Sequence, residues 1–156
     1  MSQREVEVIR LASSMHDVGK VAIPDAILNK PGPLSAAEFE VMKTHTIRAQ
    51  EIMGLSDREI IKTAIIIALQ HHEKFDGTGY PKGLQGEDIH ISARITALAD
   101  VFDALGNDRS YRGAWEIEAI LDLIRTERGT HFDPVLVDLF FENIDTILEI
   151  RNTLAG

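Results

Sequence analysis

The fold is decided by residues 57–72, which read DREIIKTAIIIALQHH. Between Ile60 and Leu69 nearly every position is apolar, so the segment has no polar face to turn toward solvent. A buried β-strand also reads as an unbroken apolar run, but strands are usually about 4–8 residues long and this segment has about 16. The segment therefore predicts a central helix that is buried inside a helical domain.

Helical patterns lie on both sides of this central segment. Ser35 and Glu38 form a capping box that predicts the start of one helix, and Asp133-Pro134 is a favourable start for the last one. A glycine-rich loop, residues 75–88, interrupts the helical patterns after His72. We predict an all-α bundle of about six helices with one long glycine-rich loop. The predicted helices cover residues 4–18, 35–53, 57–72, 91–105, 114–128 and 133–154.

The amino-acid composition excludes several kinds of functional site and partner. The chain has 156 residues, of which 44% are hydrophobic, so a single domain with its own core is expected over residues 1–156. It has no cysteine, which excludes disulfides, iron–sulfur clusters, thiolate zinc sites and cysteine nucleophiles. Its net charge of −9 argues against a nucleic-acid polymer as partner but not against a small phosphorylated ligand, because bound cations can invert the local field.

The sequence shows no membrane-spanning segment and no signal peptide. The longest uncharged apolar run, Thr63 to Leu69, is far shorter than the roughly 20 residues of a membrane span. Residues 2–5 are polar and lead into no apolar signal-peptide core. We therefore expect a soluble cytoplasmic protein with no membrane contact of its own.

Metal-ligating side chains occur in four clusters along the chain. The intervals between them are 29, 26 and 28 positions, and each is long enough for a loop and a helix. The clusters can therefore lie on successive helices that face one interior point, as in metal sites of helical bundles. Mixed imidazole and carboxylate ligands suit iron, manganese or zinc, and more than four of them favour octahedral iron or manganese. The clusters are His16-Asp17, His45, His71-His72 and Asp100.

Each cluster alone also has an ordinary structural explanation. A lone histidine at a helix end is more often a capping or solvated residue than a ligand, and an aspartate often only orients a neighbouring imidazole. His71 and His72 project about 100° apart on a helix, so both reach one site only near a helix end. The glycine-rich loop that follows them makes such an end plausible.

Taken in order, the motifs resemble those of HD-GYP domains, a branch of the HD phosphohydrolase superfamily. Residues 16–20 (HDVGK) and 28–32 (LNKPG) are similar to the opening of that family. Residues 71–81 (HHEKFDGTGYP) resemble its defining stretch and contain the Gly-Tyr-Pro triplet. Later blocks at 99–105, 109–112 and 129–134 continue the resemblance, which covers residues 8–140.

The resemblance implies a bacterial signalling enzyme that hydrolyses cyclic di-GMP to the linear dinucleotide pGpG and on to GMP. It implies two divalent ions, or three, with iron or manganese expected, and a metal-bridging hydroxide as the nucleophile. Asp17 is the ligand expected to bridge two ions. The implied ligands are His16, Asp17, His45, His71, His72 and Asp100.

The same resemblance implies several substrate contacts. Lys20, one turn after Asp17 if the first helix continues, is expected to hold a phosphate; the alternative is a lysine favoured by the helix dipole. Asp103 lies on the same helix face as Asp100 and could form a hydrogen bond with the nucleophilic water or with the edge of a guanine base. Arg109 and Arg112 are expected to pair with phosphate or stack on guanine, the alternative being solvated surface arginines. Tyr80 could stack on a base or simply anchor its loop.

The chain departs from the family near its first residue. HD-GYP domains usually have a further helix before the His-Asp pair that supplies another histidine and often a glutamate. Here Glu5 and Glu7 are the only carboxylates before His16, roughly 13–17 Å away along the same helix. We expect this chain to lack that upstream helix and any regulatory domain. It is then either a piece of a larger regulator, with a receiver or sensor domain and the helix upstream, or a natural short form with weak or absent activity. The ion near His16 would then lack one protein ligand.

Three functions are consistent with these residues. The first is a metal-dependent cyclic di-GMP phosphodiesterase. The second is a catalytically weak or inactive signalling module that binds cyclic di-GMP or a diguanylate cyclase (GGDEF) domain through the Gly-Tyr-Pro loop. The third, an HD hydrolase that acts on a different cyclic dinucleotide, is disfavoured by the Gly-Tyr-Pro stretch.

Overall fold

A computed structural model describes residues 1–106 and 115–154 of the chain. All the regular secondary structure of the described part is helical, with no strand in it, which confirms the predicted all-α class. Nine α-helices are present in these ranges, against the six or so predicted. They are α1 Gln3–Ser13, α2 Asp25–Leu28, α3 Ala36–Lys43, α4 His45–Met53, α5 Glu59–Gln70, α6 Ile91–Gly106, α7 Ile117–Thr126, α8 Pro134–Glu142 and α9 Ile144–Leu154. Two short 3-10 helices, Val18–Ala22 and Gly86–Asp88, complete the architecture.

The central helix lies where the apolar run predicts it. Helix α5 packs against α1, α4 and α6, and Glu59 and Lys62 are its only exposed residues. Its inner face packs Ala64 and Ile67 against Ala12 of α1 with no solvent exposure. This contact fixes the position of the end of α5, where His71 and His72 follow.

A second apolar core ties the C-terminal helices to α6. Its buried members include Phe102 of α6, Ile120 and Ile124 of α7, and Phe140 of α8. Arg94 of α6 also forms an ion pair with Asp133, which caps α8 by accepting a hydrogen bond from the Val135 amide at 2.8 Å. This core keeps α6, and with it Asp100, in a fixed orientation.

The helix count differs because two predicted helices are divided and because α2 lies outside the predicted helical segments; the first predicted helix is also shorter than expected. The first ends at Ser13 rather than residue 18, and the hydroxyls of Ser13 and Ser14 donate back to the carbonyls of Arg10 and Leu11 at 3.0 and 2.8 Å. The segment 35–53 turns at Thr44 into α3 and α4. The last segment divides at Asn143, whose side-chain amide donates to the Leu139 carbonyl at 2.9 Å. None of the helices in the described ranges has the length and apolar character that a membrane crossing requires.

Candidate metal centre

The four predicted clusters meet at one place in the bundle. His16 and Asp17 lie in the turn between α1 and the first 3-10 helix, and His45 is the first residue of α4. His71 and His72 follow the last residue of α5, so the helix end that their shared site requires is present. Asp100 lies inside α6. The structure therefore brings together all six side chains that the sequence singles out as ligands.

Asp17 is the centre of this cluster. Its Oδ1 lies 3.5 Å from His45 Nε2 and 3.9 Å from His71 Nε2. Its Oδ2 lies 3.3 Å from His16 Nε2, and that same ring nitrogen is 3.6 Å from Asp100 Oδ1. Ligand atoms of Asp17, His45, His71 and His72 all lie within 4.8 Å of one another. One carboxylate thus contacts imidazoles from both sides of the cluster.

Backbone carbonyls set the orientation of three of the imidazoles. The Nδ1 atoms of His16 and His45 lie 2.7 Å from the Ser13 and Met42 carbonyl oxygens. His71 Nδ1 lies 3.1 Å from the carbonyl oxygens of both Ile67 and Ala68. A carbonyl can only accept, so each Nδ1 carries the proton and each Nε2 presents its lone pair to the cluster when the ring is neutral.

The atoms that face the cluster interior lack partners. Four of the five buried polar side-chain atoms that have no hydrogen-bond partner among the described residues belong to this site. Buried polar atoms are rarely left unpaired in native proteins, and a bound ion is one established explanation. The donor set of neutral imidazole nitrogens and carboxylate oxygens fits a divalent cation. The four atoms are His16 Nε2, Asp17 Oδ1, His45 Nε2 and His71 Nε2.

The imidazoles of the cluster differ in the direction in which their pKa values are shifted. Burial lowers the pKa of His45, of His71 to about 4 and of His72 to about 3, so these rings are neutral at physiological pH. The carboxylates of Asp100 and Asp17 instead raise the pKa of His16 to about 10, so that ring is protonated without a cation. Burial alone would raise the pKa of Asp17, but His16 and Lys20 outweigh it and hold that pKa well below its usual range.

Three predicted substrate residues lie within the described ranges. Lys20 Nζ contacts Asp17 Oδ2 at 2.5 Å from the 3-10 helix rather than from a continued α1. Asp103 is exposed and lines a groove of about 450 Å³ between α1 and α6, together with His16 and Asp100. Tyr80 lies against the ring of His72, with centroids 4.8 Å apart. Arg109 and Arg112 lie outside the described residues.

The two early carboxylates make local contacts. Glu5 accepts hydrogen bonds from the backbone and hydroxyl of Ser2, which caps α1. Glu7 forms an ion pair with Arg10 at 2.7 Å. Both are thus engaged on α1 itself.

One further residue, Gly19, builds the centre although the sequence does not mark it as functional. A Cβ added to Gly19 would lie 1.9 Å from the His45 carbonyl oxygen, so only glycine lets the first 3-10 helix pack this closely on α4. That approach brings Asp17 to His45. Gly19 was visible in the motif HDVGK, but nothing local signals which backbone it approaches.

Comparisons with known proteins show the family of the chain. The HD domain family matches residues 1–136. The chain is 50% identical over 154 residues to 3'3'-cGAMP-specific phosphodiesterase 2 of Vibrio cholerae, covering 99% of this chain and 30% of that protein. It is 48% identical over 138 residues to the cyclic di-GMP phosphodiesterase response regulator RpfG of Xanthomonas campestris, covering 88% of this chain and 36% of that protein. The chain therefore spans about a third of the length of these relatives.

A solved structure supports the fold independently. The crystal structure of a cyclic GMP-AMP specific phosphodiesterase of V. cholerae (V-cGAP3) superposes with a TM-score of 0.65 at 21% identity. The match covers 93% of this chain and 39% of that one. At this identity the likeness establishes the fold alone.

Proposed function

The chain belongs to the HD domain family, and from that premise we propose that it is a metal-dependent phosphodiesterase that hydrolyses cyclic di-GMP. The observation that carries the proposal is the convergence of six imidazole and carboxylate side chains with four unpartnered buried atoms turned toward one another. The names of its relatives, which are cyclic di-GMP and 3'3'-cGAMP phosphodiesterases, support the substrate class.

The proposed cofactors are two divalent ions, or three, with iron or manganese favoured by the number and type of ligands. We propose Asp17 as the bridging ligand because its two oxygens face different imidazoles. On one side lie His45, His71 and His72, and on the other lie His16 and Asp100. Such ions lower the pKa of a bound water and neutralise charge on phosphoryl oxygens.

The side chains of the chain would hold and orient the substrate. The ammonium of Lys20 lies beside Asp17, at the edge of the cluster, where it can pair with a phosphate of the dinucleotide. The groove between α1 and α6 carries Asp103 one turn from Asp100, which supports a contact between Asp103 and the substrate. Contacts from Arg109 and Arg112 to phosphate or guanine remain predictions of the sequence.

A second substrate, 3'3'-cGAMP, is favoured by one specific observation. The V. cholerae relative that is 50% identical to this chain carries that substrate in its name, and two further relatives do so at 40% and 35% identity. These names weigh against the expectation, based on the Gly-Tyr-Pro stretch, that a different cyclic dinucleotide is disfavoured. A GGDEF partner, an upstream receiver or sensor domain and a cytoplasmic location also remain predictions.

The test is turnover of both dinucleotides by the chain after anaerobic loading with Fe²⁺ or Mn²⁺. We expect the loaded chain to hydrolyse cyclic di-GMP, with the products pGpG and GMP detected by chromatography. We expect Asp17→Ala to lose this hydrolysis. His131→Ala, a histidine outside the cluster, is the matched control and should keep the activity. Faster cleavage of 3'3'-cGAMP would favour the second substrate. Binding of the dinucleotides without cleavage by the loaded protein would favour the non-catalytic module.

A further inference from the structure

One imidazole of the metal centre is held differently from the others. His16, His45 and His71 each have Nδ1 against a backbone carbonyl. For His72, no hydrogen bond from the part of the chain that the structure describes reaches either ring nitrogen. Protein metal sites usually fix the orientation of a histidine ligand through its second nitrogen. The ring of His72 must therefore be oriented by packing.

The ring of His72 packs against two imidazoles of the cluster, with centroids 3.9 and 5.1 Å away, and against Tyr80, which lies outside the proposed ligands. The rings of His72 and Tyr80 are stacked, with centroids 4.8 Å apart and an interplanar angle of 28°. Phe39 meets Tyr80 edge to face at 6.1 Å, and the ammonium of Lys43 lies 5.5 Å from the Tyr80 centroid. No hydrogen bond to the Tyr80 hydroxyl occurs among the described residues, so its ring is the part that contacts its neighbours. Tyr80 is thus enclosed between His72 and residues of α3.

The position of Tyr80 is set by a buried carboxylate next to His72. Glu73 is only 2% exposed, and its Oε1 and Oε2 accept hydrogen bonds from the amides of Lys82 at 2.7 Å and Leu84 at 3.0 Å. The Tyr80 amide donates to the His72 carbonyl at 3.1 Å. A Cβ at Gly79 would lie 2.2 Å from the Lys74 nitrogen, so the loop backbone is pressed against the end of α5.

We propose that Tyr80, held by Glu73, is a positioning residue that orients the imidazole of His72 toward its cation. The inference rests on the proposed function, since it assumes that His72 is a metal ligand. It differs from the expectation that Tyr80 stacks on a base of the substrate. The Gly-Tyr-Pro loop then acts through the metal centre, and the glutamate that follows the two histidines is the anchor of that loop.

The test is cobalt binding by three forms of the protein. Co²⁺ gives visible absorption bands whose intensity reports the ligands around it, and its binding requires no substrate. Tyr80→Phe keeps the stacked ring, whereas Tyr80→Leu keeps apolar volume without a ring. We expect Tyr80→Phe to match the parent. We expect Tyr80→Leu to lose about 10–100-fold in affinity for one cobalt ion, the range found when partners of ligands are removed, with altered bands and an unchanged far-UV spectrum.

Glu73→Gln supplies a second, independent measurement. The amide can accept from one loop N–H but turns a donor toward the other. We expect faster hydrogen exchange at the Lys82 and Leu84 amides and a cobalt spectrum shifted in the same sense as that of Tyr80→Leu. Exchange that accelerates while the cobalt spectrum stays that of the parent would contradict the link between the loop and His72.

Two outcomes of the tyrosine series would overturn the proposal. One is cobalt affinity and bands in Tyr80→Leu equal to those of the parent. The other is a raised KM for the dinucleotide with unchanged cobalt binding, which would make Tyr80 a substrate contact instead. A parent that binds cobalt but cleaves no cyclic dinucleotide contradicts the proposed function alone, and the tyrosine series still decides the positioning role.

Discussion

Replacing Gly19 by alanine should damage the metal centre more than the fold. The new Cβ would meet the His45 carbonyl oxygen at 1.9 Å and the Ala49 nitrogen at 2.7 Å, whereas ordinary contacts begin near 3.4 Å. The first 3-10 helix must therefore move away from α4 by about 1.5 Å. Asp17 immediately precedes that helix and His45 begins α4, so the shift separates two proposed ligands.

The expected loss of folding stability is small, whereas the expected loss of metal affinity is large. Overpacking of this kind costs about 1–3 kcal/mol of unfolding free energy, which in a chain of this length lowers the melting temperature by about 2–4 °C per kcal/mol. Metal–ligand distances tolerate only about 0.2 Å, so a shift of about 1.5 Å exceeds that tolerance several-fold. We expect Gly19→Ala to remain folded while its affinity for Mn²⁺ falls by at least about 10-fold.

The assay is thermal unfolding with and without Mn²⁺. A cation at about 100 times its Kd stabilises the parent by about 2.7 kcal/mol. At the same cation concentration a Kd that is about 10-fold weaker leaves about 1.4 kcal/mol, so at least about half of the gain should be absent in Gly19→Ala. Gly129→Ala is the matched control, because Gly129 has a φ of +80° with nothing within 4 Å of an added Cβ. Its backbone strain costs about 1 kcal/mol and should leave the gain from Mn²⁺ intact. Equal gains in Gly19→Ala and the parent would refute the reasoning.

Three further predictions follow from the charges. In the folded protein the pKa values of His71 (about 4), His72 (about 3) and His45 are lowered, whereas a histidine of the unfolded chain has a pKa of about 6.5. Below about pH 6.5 the unfolded chain therefore binds more protons than the folded protein. Urea unfolding of the metal-free protein should therefore show stability falling from pH 6.5 to pH 4, by up to about 1.4 kcal/mol per pH unit for each imidazole; constant stability would contradict burial of neutral rings. Since the pKa of His16 is raised to about 10, Mn²⁺ binding at pH 8 should release about one proton from that ring, measured by calorimetry in two buffers of different ionisation enthalpy, and no release would exclude His16 as a ligand. Arg94→Ala should cost about 3–5 kcal/mol because it leaves the buried Asp133 carboxylate unpaired, whereas Arg128→Ala at the exposed pair with Asp138 should cost less than about 1 kcal/mol; similar losses in the two variants would show that the buried pair has no special weight.

The centre of the fold and the candidate ligands are predictable because their signals are local and chemical. The segment 57–72, with its apolar centre from Ile60 to Leu69, is too long for a strand and predicts a buried helix, and α5 lies within it. His16, Asp17, His45, His71, His72 and Asp100 stand out because imidazoles and carboxylates occur at intervals of about one helix and one loop. Asp133-Pro134 and the capping box at Ser35 likewise mark helix starts where the structure has them.

What the sequence could not provide depends on contacts between distant segments. The turns at Thr44 and Asn143 contain neither proline nor glycine, so no local breaker predicts the division of two long helices. Glu73 appears as one polar residue of a motif, and its role depends on amides 9 and 11 residues further along the chain. Gly19 depends on a carbonyl of another helix. Such roles become visible only once the helices are packed.

The measurement that tests the account most directly is an anomalous-difference map from crystals of the protein loaded with Mn²⁺. We predict two peaks joined by the carboxylate of Asp17, one beside His16 and Asp100 and the other beside His45, His71 and His72. A map without manganese peaks among these six side chains, from crystals soaked at saturating Mn²⁺, would contradict the account.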